Sequence, residues 1–285
     1  IEDSNSPYLI ETADLVSMMD DSNTVVLDFR KVEDYNTGHI PQAIQIWRTD
    51  LEDTSYNYGG MMPQQKQLEV LFSNLGIRNG DRIVLYDDIG LCDASRLWWV
   101  LQNYNYTQVK MLNGGLRSWV EAGNQLSKTS ATPAKTAFSF NSAPSYSLRA
   151  TKEDVVKAIK QNVKLLDTRS KEEFEGVYQK KGAAKSGSIP TSFQIDWAEA
   201  INYNGDRRFK SKEELEAIYS QLEIDKDDPV IVYCHSGVRS AHTTFVLTQL
   251  LGYSNVTNYD GSWVEWSHDD SLLTESLTLT NNTYE

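Results

Sequence analysis

The chain repeats itself. Residues 24–35 (TVVLDFRKVEDY) match 163–174 (VKLLDTRSKEEF), and residues 38–46 (GHIPQAIQI) match 187–195 (GSIPTSFQI). DRIVLYD at 81–87 matches DPVIVYC at 228–234, and LNGGLRSW at 112–119 matches YDGSWVEW at 259–266. Four blocks recurring in one order imply a duplicated structural unit. Within each copy, short β-branched runs alternate with amphipathic stretches, the pattern of a parallel sheet flanked by helices. The expected fold class is therefore α/β, as two tandem domains. A chain of 285 residues gives each copy enough length to bury its own core. The first domain is placed at 1–127 and the second at 148–285. Residues 128–147 are rich in Ser, Thr, Ala, Asn and Pro, with few apolar side chains, and read as a linker wrapping part of a surface.

Periodicity places the elements. In the first copy, 8–19 reads as a strand and a helix with Thr12 as N-cap, after a frayed start at 1–7. Strands are expected at 24–28, 43–46, 81–86 and 109–112, and helices at 64–75, 94–102 and from Gly114-Gly115 through Trp119. In the second copy, a helix at 151–160 has Thr151 as N-cap and Asp154 in a variant capping box. Strands follow at 163–167, 192–195 and 230–233, with helices at 212–221 and about 240–251.

The copies differ where chemistry would sit. Asp87 stands in the first where Cys234 stands in the second. Cys234 ends a buried strand and opens the loop His235, Ser236, Gly237, Val238, Arg239, before a helix. The first turn of a helix leaves backbone N–H groups unpaired and favours negative charge. Amides of a tight loop add to that, Gly237 allows a positive φ, and Arg239 supplies a permanent cation. A cysteine so placed ionises readily, with pKa values of roughly 3.5–7.5 known for such sites. The alternative is a buried structural cysteine at a strand end; the strand–Cys–Ser–Gly–Arg–helix context favours a reactive thiolate. Cys92, five residues after Asp87, falls near the matching loop-to-helix turn and is read as incidental.

YCHSGVRSAHTTFVL at 233–247, followed by NYDGSWVEW at 258–266, resembles the active-site half of two-domain rhodaneses, the thiosulfate sulfurtransferases. The resemblance spans nearly the whole chain. It implies two rhodanese-like domains, a catalytically silent first one and a second that carries the nucleophile. It implies that Cys234 takes the sulfane sulfur of thiosulfate as a persulfide and passes it to cyanide or another thiophilic acceptor. The loop from His235 to Arg239 would bind the donor, with Ser236 donating a hydrogen bond and Arg239 gripping a sulfonate. His235 either points outward and sets access or adds charge when protonated. Asp167, Arg169 and Lys181 would support the loop. Asp28 with Arg30 reads as a structural pair, Trp263 and Trp266 as core, and His39 as a turn histidine bonding backbone.

The mercaptopyruvate sulfurtransferases are the related branch. Their Ser-Asp-His relay would need Ser236, Asp53 and a histidine where this chain has Gly60. One of their carboxylate-binding arginines matches Glu173, and the other falls near Lys181. These departures favour thiosulfate. Cysteine phosphatases need one residue more between Cys and Arg than the four found here. A non-catalytic sulfur-carrier or binding module is the remaining alternative.

Composition narrows the partners. A net charge of −13 argues against nucleic acid and repels anionic donors at long range, so a donor site must be locally positive. No apolar run is of membrane-spanning length. Two distant cysteines and four scattered histidines suggest neither a disulfide framework nor a metal site, and no cofactor is expected. A monomer is expected, since two equivalent halves can bury each other's faces. A cytoplasmic location is slightly favoured, with a periplasmic one open if a signal peptide was removed before Ile1.

Overall fold

In the computed structural model, which describes residues 6–276, the chain divides into two compact units. The first comprises Ile1–Asp53, Met62–Ser147 and Ile201–Lys212; the second comprises Thr54–Met61, Leu148–Ala200 and Glu213–Glu285. Each unit thus includes a short segment from the other half of the sequence.

The first unit contains β1 (Leu9–Ile10), β2 (Thr24–Asp28), β3 (Ile44–Gln45), β4 (Arg82–Tyr86) and β5 (Val109–Leu112). They form one all-parallel sheet in the order β1-β5-β4-β2-β3. Around it lie α1 (Thr12–Met18), α2 (Val32–Thr37), α3 (Gln65–Asn74), α4 (Cys92–Asn103) and α5 (Gly115–Glu121). The second unit repeats the plan with β6 (Arg149–Ala150), β7 (Lys164–Asp167), β8 (Ser192–Gln194), β9 (Val230–Tyr233) and β10 (Val256–Tyr259). Its order, β6-β10-β9-β7-β8, is the same and again all parallel. Its helices are α6 (Lys152–Lys160), α7 (Lys171–Phe174), α8 (Lys212–Tyr219), α9 (Val238–Phe245) and α10 (Ser262–Ser267). Both sheets are the α/β class that the alternating pattern called for.

The duplication holds at the level of single atoms. Asp28 and Asp167 end equivalent strands, opposite Tyr86 and Tyr233 in register. Each pairs with the arginine two residues on, at 2.7 Å for Arg30 and 2.6 Å for Arg169. Each arginine also donates to a glycine carbonyl, of Gly38 and Gly187 respectively, at 2.8 Å. The hydroxyls of Tyr86 and Tyr233 accept from the amides of Ile40 and Ile189, both at 3.1 Å. A buried pair tied into backbone in this way fixes the loop after the strand. In the doubly wound order, β2 and β4, or β7 and β9, flank the point where the chain reverses direction across the sheet. Ligand crevices of open α/β sheets form there, outside the carboxyl ends of the strands.

Some boundaries shift for physical reasons. Thr12 is not the N-cap of α1 but its first residue; Glu11 caps, in a capping box with Asp14, and the Thr12 hydroxyl donates to Ser118 at 3.2 Å. Thr151 does cap α6 through the amide of Asp154. The helix expected from about 240 starts at Val238 and turns π-helical over Val246–Leu250. Segment 128–147 is less apolar-poor in effect than in composition: Phe138 and Phe140 pack on Phe72, and Thr136 hydrogen-bonds Ser73. The frayed start expected at 1–7 lies mostly outside the described residues, but Ser6 is buried.

Arg169→Ala strands Asp167 as an unpaired buried carboxylate. It should destabilise the second unit by about 3–5 kcal/mol, read as an earlier urea unfolding transition; Arg30→Ala should do the same to the first.

Candidate active site

Cys234 is the first residue after β9, and α9 starts four positions later. Gly237 sits between them at φ +76° as the N-cap of α9, a conformation that glycine adopts without strain. The loop is pinned from behind. The amide of Cys234 donates to Ser262 Oγ at 3.2 Å, and its carbonyl accepts from Trp263 N at 3.0 Å. The carbonyl of His235 accepts from Val264 N at 2.9 Å, and that of Gly237 from Asn258 Nδ2 at 3.0 Å. With the loop carbonyls turned toward α10 and β10, loop amides are left to face the sulfur.

That arrangement decides the thiol's ionisation. Cys234 is 1% exposed, and burial alone would push its pKa up. The charge of Arg239, the Ser240 hydroxyl and the amides of Ser240 and Ser236 pull it down, and the result lies below the ordinary thiol value. A buried thiol whose pKa is lowered in spite of its burial has the electrostatics that a nucleophilic cysteine requires and that packing alone does not. Ser240 was missed in the sequence; it stands in the first turn of α9, and its buried Oγ makes no other hydrogen bond.

Arg239 does not stand alone. Its two terminal nitrogens donate to the carboxylate of Glu173 at 2.6 and 2.9 Å. Glu173 is buried, which alone would raise its pKa, but the hydrogen bond and charge of Arg239 lower it to about 2. Glu173 therefore stays ionised. His235 is also buried, at 7% exposure, so it does not point outward. Burial, with the charges of Lys180 and Arg239, lowers its pKa to about 4, so it carries no charge at neutral pH. Both roles open to it from sequence are corrected by one cause, exclusion of water from its ring.

The supporting residues divide. Asp167 and Arg169 lie under the loop: Thr168 N donates to Tyr233 O at 2.9 Å, and the Arg169 guanidinium stacks 4.7 Å from the Trp263 ring centroid. Lys181 is exposed. Its neighbour Lys180 is the lysine whose charge bears most on His235 and Glu173. His39 bonds the carbonyls of Tyr35 and Thr129, and Trp263 and Trp266 are 1% exposed core. Ser236 lies against Gly60, in the Thr54–Met61 segment of this unit. A Cβ on Gly60, whose φ is +100°, would meet the Ser236 Cβ at 2.6 Å. Tyr58 of the same segment donates to Glu265 at 3.1 Å. In the first unit, the Asp87 carboxylate occupies the corresponding place and accepts from the amides of Ile89, Leu91, Asp93 and Ala94. Cys92 begins α4 and is buried. Among the described residues no group of His, Cys, Asp and Glu could hold a metal, and no helix is long and apolar enough to cross a membrane.

The rhodanese-like domain profile matches the chain twice, over residues 11–122 and 151–269. The chain belongs to the rhodanese family. A provisionally named thiosulfate sulfurtransferase of Saccharopolyspora erythraea is 37% identical over 255 residues, covering 86% of this chain and 88% of its own. The sulfur carrier protein TtuD of Thermus thermophilus is 37% identical over 247 residues, covering 82% and 84%. Among solved structures, the 3-mercaptopyruvate sulfotransferase SseA of Escherichia coli superposes with a TM-score of 0.79 at 26% identity, covering 90% of this chain and 98% of its own. This rhodanese is thus a sulfurtransferase by family, and its donor is a question for its own loop.

Gly60→Ala should force the Thr54–Met61 segment off Ser236. We expect a lower melting temperature and faster alkylation of Cys234 by iodoacetamide, followed by peptide mass spectrometry with Cys92 as the internal reference.

Proposed function

We propose that this rhodanese transfers the sulfane sulfur of thiosulfate to a thiophilic acceptor, cyanide or a thiol, through a persulfide on Cys234. The observation that carries this reading is a fully buried thiol whose pKa is nonetheless lowered by loop amides, a serine hydroxyl and a guanidinium. In the first step the Cys234 thiolate attacks the outer sulfur of thiosulfate. A new S–S bond forms, the sulfur–sulfur bond of the donor breaks, and sulfite leaves with the electron pair. Three negative charges enter and three remain, one on the persulfide and two on sulfite. The amides of Ser236 and Ser240 hold the terminal sulfur as they held the thiolate. In the second step the acceptor attacks that sulfur and regenerates the thiolate.

Two features support thiosulfate over mercaptopyruvate. A relay from Ser236 toward the Thr54–Met61 segment meets Gly60, which has no side chain to move a proton. Mercaptopyruvate gives up its sulfur by C–S cleavage and leaves as the enolate of pyruvate, which must take up a proton, whereas thiosulfate releases sulfite with no proton transferred. A carboxylate donor would also face Glu173 in place of a cationic clamp. The relative named as a sulfur carrier supports a second reading, in which a partner protein is the acceptor.

Thiosulfate treatment should add the mass of one sulfur atom to the intact protein, and Cys234→Ser should abolish both the gain and thiocyanate release from cyanide. Sulfur loading without thiocyanate release would favour the carrier reading. A wild type that turns over mercaptopyruvate much faster than thiosulfate would overturn the choice of donor.

Because His235 is neutral above a pKa of about 4, its protonation contributes nothing between pH 6 and 8. The acid limb of kcat/KM for thiosulfate should track Cys234 and lie below the ordinary thiol range. His235→Asn should leave that limb in place, and Arg239→Gln should move it upward.

A further inference from the structure

Glu173 has no part in the persulfide chemistry, yet it holds the charge on which that chemistry leans. It lies in α7, and its two oxygens take the two terminal nitrogens of Arg239. The pair is shielded, with side-chain exposures of 6% for Glu173 and 16% for Arg239. A bidentate pair in such surroundings is fixed in geometry as well as strong. Arg239 still acts on the neighbouring sulfur, where it lowers the thiol pKa. A donor meets something different. The terminal edge of the guanidinium is turned to a carboxylate, and from outside the two charges nearly cancel. The other groups nearby are Lys180 and Arg169, whose charges bear on Glu173, Asp196, which feels both members of the pair, and His235, which is neutral.

We propose that Glu173 is a specificity-determining residue: it masks Arg239 from the donor and so weakens donor binding in proportion to the donor's negative charge. The proposal rests on the Cys234 persulfide reading and adds a ranking among its donors. Thiosulfate, a dianion, is handicapped relative to a thiosulfonate, which offers the same sulfonyl-bound sulfur with one negative charge. The same masking helps sulfite, a dianion too, to leave.

The test compares thiosulfate with methanethiosulfonate in single-turnover loading of Cys234, read by intact mass against donor concentration. Coulomb energy is linear in charge, so the gain for a dianion is the square of that for a monoanion. Glu173→Gln should lower the half-saturating concentration about tenfold for thiosulfate and about threefold for methanethiosulfonate, with the maximal loading rate not raised. The double variant Glu173→Gln/Arg239→Gln removes the pair together, and should return the ratio between the donors to the wild-type value. Equal changes for both donors, no change, or weaker binding of thiosulfate in the single variant would overturn the proposal. So would a double variant whose ratio departs from wild type, even if the single variant fails to fold. If neither donor loads the wild type, the persulfide reading itself has failed, a separate result.

Discussion

A helix that starts directly behind a parallel strand presents unpaired amides to the loop between them, and those amides must meet an anion or water. Both halves of this protein obey that constraint, with different answers. In the first, Asp87 supplies the anion from the chain and accepts four amide hydrogen bonds. Burial and the neighbouring Asp93 push its pKa up to about 7, against those bonds. In the second, the residue at that place is a cysteine, whose anion is optional. Amides that in one copy bond a carboxyl group in the other favour a thiolate, and by the proposed chemistry a persulfide. Where the strand of the first copy ends in a carboxylate that satisfies its own turn, the strand of the second ends in a thiol, the residue the proposed chemistry needs.

The shared framework was legible because it rests on local patterns. Asp28 with Arg30 and Asp167 with Arg169 are separated by one residue, and the matched strands announce the sheets. The cysteine loop could be read because strand, Cys, Gly and helix follow in sequence. What escaped depended on approach through space. Glu173 is 66 residues from Arg239, and its position in the sequence marks only a missing arginine, not a partner. Gly60 reads as a loop glycine; its closeness to Ser236 requires the Thr54–Met61 segment to belong to the second unit. Ser240 looks like an ordinary helix residue until α9 is seen to begin at Val238, which turns its amide and hydroxyl toward the sulfur. His235 was misread because a polar residue beside a nucleophile suggests exposure, and only the fold shows that Gly182 lies against its ring.

Burial explains how so acidic a chain can lower the pKa of a thiol in its core and, on the proposed reading, still take an anionic donor. Bulk charge acts through solvent and is screened beyond roughly 8–10 Å at ordinary ionic strength. The sulfur, 1% exposed, answers instead to what lies within a few ångströms. There the balance is local: Arg239 and the loop amides on one side, Glu173 on the other, with His235 kept neutral by the same exclusion of water. A freely presented arginine would hold both thiosulfate and sulfite tightly and slow the exchange of one for the other. An arginine whose outer edge is already occupied can lower the thiol pKa without becoming a trap for the product. On the proposed reading, the reactivity of the cysteine and the weakness of the anion site are set by the same guanidinium, acting inward on the sulfur and outward on Glu173.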